Sequence, residues 1–164
     1  MDNPYKPTAA ALRDPPKPPR SPILAVVAGF AVDLGGTTLA SIVITIVHAA
    51  TLAGRGMPAE QITEAVTRYD PTSGYGLVAT FVGGGFSILG GYVCARISRR
   101  NERKVTGVLA LLIAGVGFFG AGETLGLLLN AGFVLLTLAS IMAGGELGRR
   151  RNLANARDAA ATAA

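Results

Sequence analysis

The sequence predicts an all-α fold: a transmembrane four-helix bundle built from two helical hairpins, with both chain ends on the cytoplasmic side. Three observations carry that reading. Four apolar stretches, at residues 23–53, 75–97, 105–122 and 125–147, are each at least 18 residues long, enough to cross roughly 30 Å of hydrocarbon as helix. Only 15% of the residues are charged, against about a quarter in a soluble domain. Thirteen of the 15 Lys and Arg residues fall in the three segments that four crossings place on one face. The positive-inside bias makes that face cytoplasmic.

Residues 1–22 form a basic, Pro-rich tail. The run Pro15-Pro16-Lys17-Pro18-Pro19-Arg20-Ser21-Pro22 cannot build a helix and favours extended polyproline II, which reads as a stiff solvated tail rather than a docking motif. The apolar stretch after it is far longer than the core of a cleavable signal. That first span has 31 residues, about 46 Å as helix, so it has to tilt, protrude or break. Gly35-Gly36 is the expected place for a kink.

The connection after it holds an amphipathic segment at residues 57–69. Pro58 suits a first helical position and Glu60 a first turn. Ile62, Ala65, Val66 and Tyr69 fall on one face at helical spacing, and Asp70-Pro71 ends the segment. This segment is expected to lie on the outer membrane surface. A tight charged loop around Asn101 joins the second and third spans, and Glu123-Thr124 separates the third from the fourth. Residues 149–164 read as a basic, then Ala-rich tail, frayed or weakly helical. Cytoplasmic charge comes from Lys6, Arg13, Lys17 and Arg20, from Arg96, Arg99, Arg100, Arg103 and Lys104, and from Arg149, Arg150, Arg151 and Arg157; only Arg55 and Arg68 lie opposite.

Several chemistries are excluded by what is present. The net charge of +5 comes without Trp and with four scattered Tyr, so the stacking platform of a nucleic-acid binder is missing. Gly115-Val116-Gly117-Phe118-Phe119-Gly120 matches a dinucleotide fingerprint only as letters, because it sits inside an apolar span with no strand before it. One His and one Cys, 46 positions apart, provide no nucleophile–base pair, and His48 has no second ligand at i+4 for a metal. No cofactor and no catalytic residue is assigned.

The polar residues worth weighing lie inside the spans. A carboxylate there is expensive and marks a functional site by default. Asp33 shares a face with Gly29, Gly36 and Ala40, which points it into the bundle. Counted inward from the outer ends of their spans, Asp33 and Arg96 lie at the same depth, about 30 Å down, so an Asp33–Arg96 ion pair is one expectation and a proton or cation site the other. Asn130 suits an interhelical hydrogen bond, and Glu146 suits helix-surface pairs with Arg149 and Arg150. Ala79, Gly83, Ser87, Gly91 and Ala95 form a small-residue ridge that lets a second helix approach closely, within the chain or between copies in a homo-oligomer. Gly90-Gly91 and Gly144-Gly145, each followed by an Arg, hint at a parallel repeat of two hairpins.

With the Pro-rich basic tail, the long first helix, the outer segment Gly56-Met57-Pro58-Ala59-Glu60-Gln61-Ile62 and the motif Gly90-Gly91-Tyr92-Val93-Cys94-Ala95-Arg96-Ile97, the chain resembles small four-helix bacterial integral membrane proteins of uncharacterised function. The resemblance spans residues 23–150. It implies a multi-pass protein of the bacterial inner membrane and transfers no site residues. Cys94, at a position where Ala is expected, and Glu146, where a second copy of the motif would carry Tyr, depart from the pattern. The expected function is a non-enzymatic helix-packing or interaction component whose partner is the lipid bilayer. The alternative is a small oligomeric transporter or channel using Asp33 as its proton or cation site. No small-molecule substrate is named by the sequence.

Overall fold

The computed structural model describes residues 21–68, 70–99, 101–120 and 126–162. Among these, five α-helices and no strand are formed: α1 (Pro22–Gly54), α2 (Ala59–Thr67), α3 (Gly74–Ser98), α4 (Glu102–Gly120) and α5 (Leu127–Ala161). Four of them, α1, α3, α4 and α5, are long and apolar enough to cross a membrane. The N-terminal tail, Tyr69, Arg100 and the predicted outer turn at Glu123-Thr124 lie outside the described residues.

Local chemistry explains where each helix begins and ends. Pro22 occupies the start of α1, where its missing N–H is no loss. The helix then runs unbroken through Gly35-Gly36, the place where the sequence suggested a kink. Its end is turned by Gly56 at φ +79°, a conformation that a side chain would strain. Pro58 caps α2 from outside rather than opening it: its carbonyl accepts from Ile62 N at 3.1 Å. Ser73 caps α3, its Oγ accepting from Gly76 N at 3.0 Å. Asp70 braces the turn before it, accepting from the Thr72 backbone N–H at 2.8 Å and from the Thr72 hydroxyl at 2.7 Å. Arg99 and Asn101, both at positive φ, reverse the chain between α3 and α4.

The fourth span departs from expectation. Instead of stopping near residue 147 and fraying, α5 continues without interruption to Ala161. Glu146 binds Arg149 at 2.7 Å and Arg150 at 3.5 Å, the i,i+3 and i,i+4 pairs that support an exposed helix. The following Ala-rich run has the highest intrinsic helix propensity. Asn152 also ties this extension to α3 by donating to Ala95 O at 3.0 Å.

α3 is the hub, packed along α1 on one flank and α5 on the other, with α4 against α5, α3 and α1. Ala25, Cys94, Val105, Leu109, Ala110 and Ile141 make one buried cluster. That cluster places the start of α1, the end of α3 and the start of α4 at one end of the bundle, here called the core end. α2 lies at the opposite end. Around the core end the helices touch backbone to backbone. A Cβ on Gly91 would run into Ile141 O, one on Gly144 into Ile88 O, and one on Gly148 would lie 2.7 Å from Tyr92 O.

The outer surface is apolar. Phe81, Phe119 and Leu128 are 79%, 84% and 90% exposed, in company with many Leu, Ile and Val side chains on all four long helices. Exposed apolar area of this extent marks a surface made to meet lipid or another protein, and it lies on the four helices that are long and apolar enough to cross a membrane.

The two Gly-Gly pairs are used in opposite senses. On α3, Gly90 meets Gly29 of α1 and Gly91 meets α5; on α5, Gly144 meets α3 and Gly145 meets Thr106 of α4. A two-fold axis along the bundle exchanging α1 with α4 and α3 with α5 would send Gly144 to α4 and Gly145 to α3. The contacts are reversed, so the two Gly-Gly pairs are not equivalent at the register that aligns them, whereas Gly91 on Ile141 and Gly144 on Ile88 are reciprocal at a register one residue shorter.

Candidate functional site

Asp33 lies in the second quarter of α1 and is 3% exposed. It is buried because α1 and α3 approach closely beside it: Gly90 offers no side chain, and a Cβ there would lie 2.9 Å from Asp33 Cβ. One turn further along α3, Ser87 Oγ donates to Asp33 Oδ1 at 3.0 Å. Thr37, one turn on along α1, donates to the same oxygen at 3.5 Å. The other oxygen, Oδ2, is buried and has no hydrogen-bond partner among the described residues. Two donors on one oxygen and none on the other leave half of this carboxyl group unsatisfied, an arrangement that costs free energy unless something else binds there.

A cavity of about 260 Å³ opens beside it between α1, α3, α4 and α5. Its polar lining is Asp33, Thr37, Thr80, Ser87, Thr137 and Ser140, against apolar walls that include Ile113, Phe133 and Leu136. The cavity exists because close packing stops at Ser87. Beyond it the glycines stand clear of their neighbours, with the nearest atom to a Cβ on Gly83 or Gly84 at 3.7 Å and 3.8 Å.

Thr37 also lines a second, shallower hollow with Thr38, Ser41 and Thr45. Asp33, Thr37, Ser41, Thr45 and His48 follow one another at spacings of four, four, four and three residues over about 22 Å, a stripe that winds around α1 by about 40° at each step of four, so that Ser41 is exposed while Asp33 is buried. The stripe ends at a ring contact. Thr45 Oγ1 and the Tyr75 hydroxyl are 2.7 Å apart, and His48 stacks on Tyr75 with ring centroids at 4.5 Å. The stripe thus runs along α1 from the α2 end of the bundle, past an exposed Ser41, to the buried carboxyl group.

The expected Asp33–Arg96 ion pair is not made. Arg96 Nη1 donates instead to Asn152 Oδ1 at 3.0 Å, while Asp33 is held by Ser87 and Thr37. The depth count failed because the outer ends of the two helices are not level. Tyr75, the start of the count on α3, sits beside Thr45 and His48, several residues short of the Ala53 used on α1. The offset moves Arg96 toward the core end, and Gly90 takes the place beside Asp33. Asn130 is apart from both, donating across to Phe118 O on α4 at 3.4 Å, the interhelical bond expected of it.

Of the ridge, Gly83 faces Thr37 on α1 and Ser87 holds Asp33, whereas Gly91 and Ala95 face α5; Ala79 is half-buried. Sequence reasoning takes Ser87, like Thr37 and Ser140, only as a small residue for helix packing, and passes over Thr80 and Thr137. The four-residue spacing from Asp33 to Thr45 was the available signal for the stripe; nothing in the sequence pointed to Asn152.

No protein-family model matches the chain, and no match was found among curated proteins or solved structures. The functional reading rests on the geometry of these side chains.

Proposed function

We propose that this chain is a small transporter or channel that moves protons or monovalent cations through the membrane by way of Asp33. The observation that carries the reading is a buried carboxyl group, one oxygen of it unpartnered among the described residues, on a cavity where five hydroxyl residues interrupt mostly apolar walls. An ionisable side chain inside a span is expected on an ion or proton path, and hydroxyl oxygens beside a carboxylate are ligands for a dehydrated cation or relay points for a proton. The proposal assigns no catalytic step to the protein.

The setting we propose is a bacterial inner membrane, in keeping with the sequence resemblance. The termini and the α3–α4 turn face the cytoplasm, because nearly all Lys and Arg residues are there. In that orientation the His48–Tyr75 contact lies at the outer mouth of the stripe. The interaction reading draws less support, because the glycines of the ridge that meet another helix meet one of the same chain. Self-association through α1 fits the transport reading, since Thr38 and Ser41 are exposed and hydroxyls facing lipid gain from a second helix.

The test is flux in vesicles. Full-length protein reconstituted in liposomes with an internal pH dye should dissipate an imposed pH gradient, or exchange Na+ or K+ for it. Asp33→Asn, which keeps the shape and an acceptor for Ser87, should lower that flux by about tenfold or more with helix content and detergent stability unchanged. Equal flux in the two proteins, or none with any of these ions, rejects the proposal.

A further inference from the structure

A second polar site lies at the core end, away from Asp33, and its argument is independent of the transport reading. Asn152 is held by three hydrogen bonds. Its Nδ2 donates to Ala95 O at 3.0 Å and to Glu102 Oε1 at 3.3 Å, and its Oδ1 accepts from Arg96 Nη1 at 3.0 Å. The Arg96 guanidinium is thereby fixed in place by a neutral partner and makes no ion pair among the described residues. The carboxylates nearby are engaged elsewhere. Glu146 is shared by Arg103 at 3.6 Å, Arg149 at 2.7 Å and Arg150 at 3.5 Å, and Glu102 receives Asn152.

Beside Arg96 is a cavity of about 300 Å³ lined by Arg96, Arg99, Asn152, Asn155 and Ala156. Two guanidinium groups and the Asn155 carboxamide line it, while Asn152, its own amide donors spent on Ala95 O and Glu102, positions Arg96; among the described residues no carboxylate lines the cavity. Donors of this kind match the oxygens of a phosphate group, which guanidinium binds through paired N–H bonds. The cavity sits where α3 ends, the level at which a lipid phosphate lies against a spanning helix, and basic pockets between spans accept acidic headgroups.

We propose that this cavity is a binding site for a phosphate group, either the phosphodiester of an acidic phospholipid or free phosphate. The site uses the helical extension of α5 beyond the membrane-spanning stretch: without residues 149–161 in helix, Asn152 and Asn155 would not stand over the end of α3.

The experiment is a titration of the full chain in a neutral maltoside detergent, following the thermal unfolding midpoint. Dihexanoyl phosphatidylglycerol and inorganic phosphate are the two probes. Arg96→Gln with Arg99→Gln should weaken binding of the active probe by about tenfold or more, at roughly 1 kcal/mol per arginine. Arg151→Gln with Arg157→Gln, which removes the same charge from exposed positions outside the cavity, should leave it unchanged. Because Arg96→Gln also frees Asn152, Arg99→Gln alone is the second variant; it should weaken binding about fivefold. A shift with the lipid alone identifies a headgroup site, and an equal shift with inorganic phosphate identifies a free-anion site; both support the proposal. No shift with either probe, or equal weakening in the two double variants, overturns it.

Discussion

At the scale of single residues, identity says less than what the next helix presents. Gly85 and Gly91 are both mid-helix glycines of α3, yet a Cβ on Gly85 meets nothing within 4 Å while one on Gly91 runs into the Ile141 carbonyl. A backbone oxygen cannot rotate away as a side chain can. Gly91→Ala is therefore expected to destabilise the protein by about 2 kcal/mol through overpacking. Gly85→Ala should be neutral or stabilising by about 0.5–1 kcal/mol, because alanine loses less backbone freedom in a helix. Unfolding of the two variants in detergent checks both signs. The same reasoning explains why Asp33 was recognised and its partner was not. That a carboxylate inside a span needs company follows from its charge alone. Which side chain supplies it depends on how far α1 slides along α3, and that offset brings Ser87 rather than Arg96 to it.

At the scale of elements, a ridge of small residues every fourth position does not stay on one face. Each step of four turns about 40° beyond a full turn on a helix of 3.6 residues per turn. Gly83 and Ser87 consequently look toward α1, and Gly91 and Ala95, two steps on, toward α5. One ridge serves two neighbours, which makes α3 the hub. The start of α3 depends on a separate device with its own pH dependence. The Thr72 hydroxyl, and after it the backbone N–H groups of Thr72 and Ser73, hold the Asp70 carboxyl below its ordinary range. A carboxyl lowered in the folded state contributes stability above its unfolded value and loses it as pH falls through the folded value. Carboxyl-carbon NMR should accordingly find Asp70 titrating below the usual aspartate range. Thr72→Ala, which keeps the backbone donors and removes the hydroxyl, should move the midpoint back up. A midpoint unaffected by Thr72→Ala would remove the hydroxyl from this account.

At the scale of the whole molecule, the bundle carries many of its large apolar side chains outside and buries the Asp33 carboxyl group with Ser87, Thr106, Asn130 and Ser140 inside. Lipid reverses the usual distribution, since it solvates apolar surface and penalises an unpaired polar group. In the orientation proposed, charge asymmetry puts the basic end of the bundle in the cytoplasm. Reporter fusions are expected to place residue 20, the α3–α4 turn and residue 162 inside the cell and α2 outside; a reporter in α2 active in the cytoplasm would reverse the proposed orientation and put the mouth of the hydroxyl stripe on the other side. The sequence by itself determined the helices, because length and hydropathy are local and a span in lipid satisfies its own backbone. It determined their small-residue faces for the same reason, and its charge count supports the proposed orientation without any contact between helices. Only the tertiary structure decided the contents of the interior. The cavity beside Asp33, the join of Asn152 to Arg96 and the reversed use of the two Gly-Gly pairs all depend on the relative slide and rotation of helices distant in sequence. A shift of one turn, about 5.4 Å, would exchange every one of those partners while leaving the hydropathy pattern untouched.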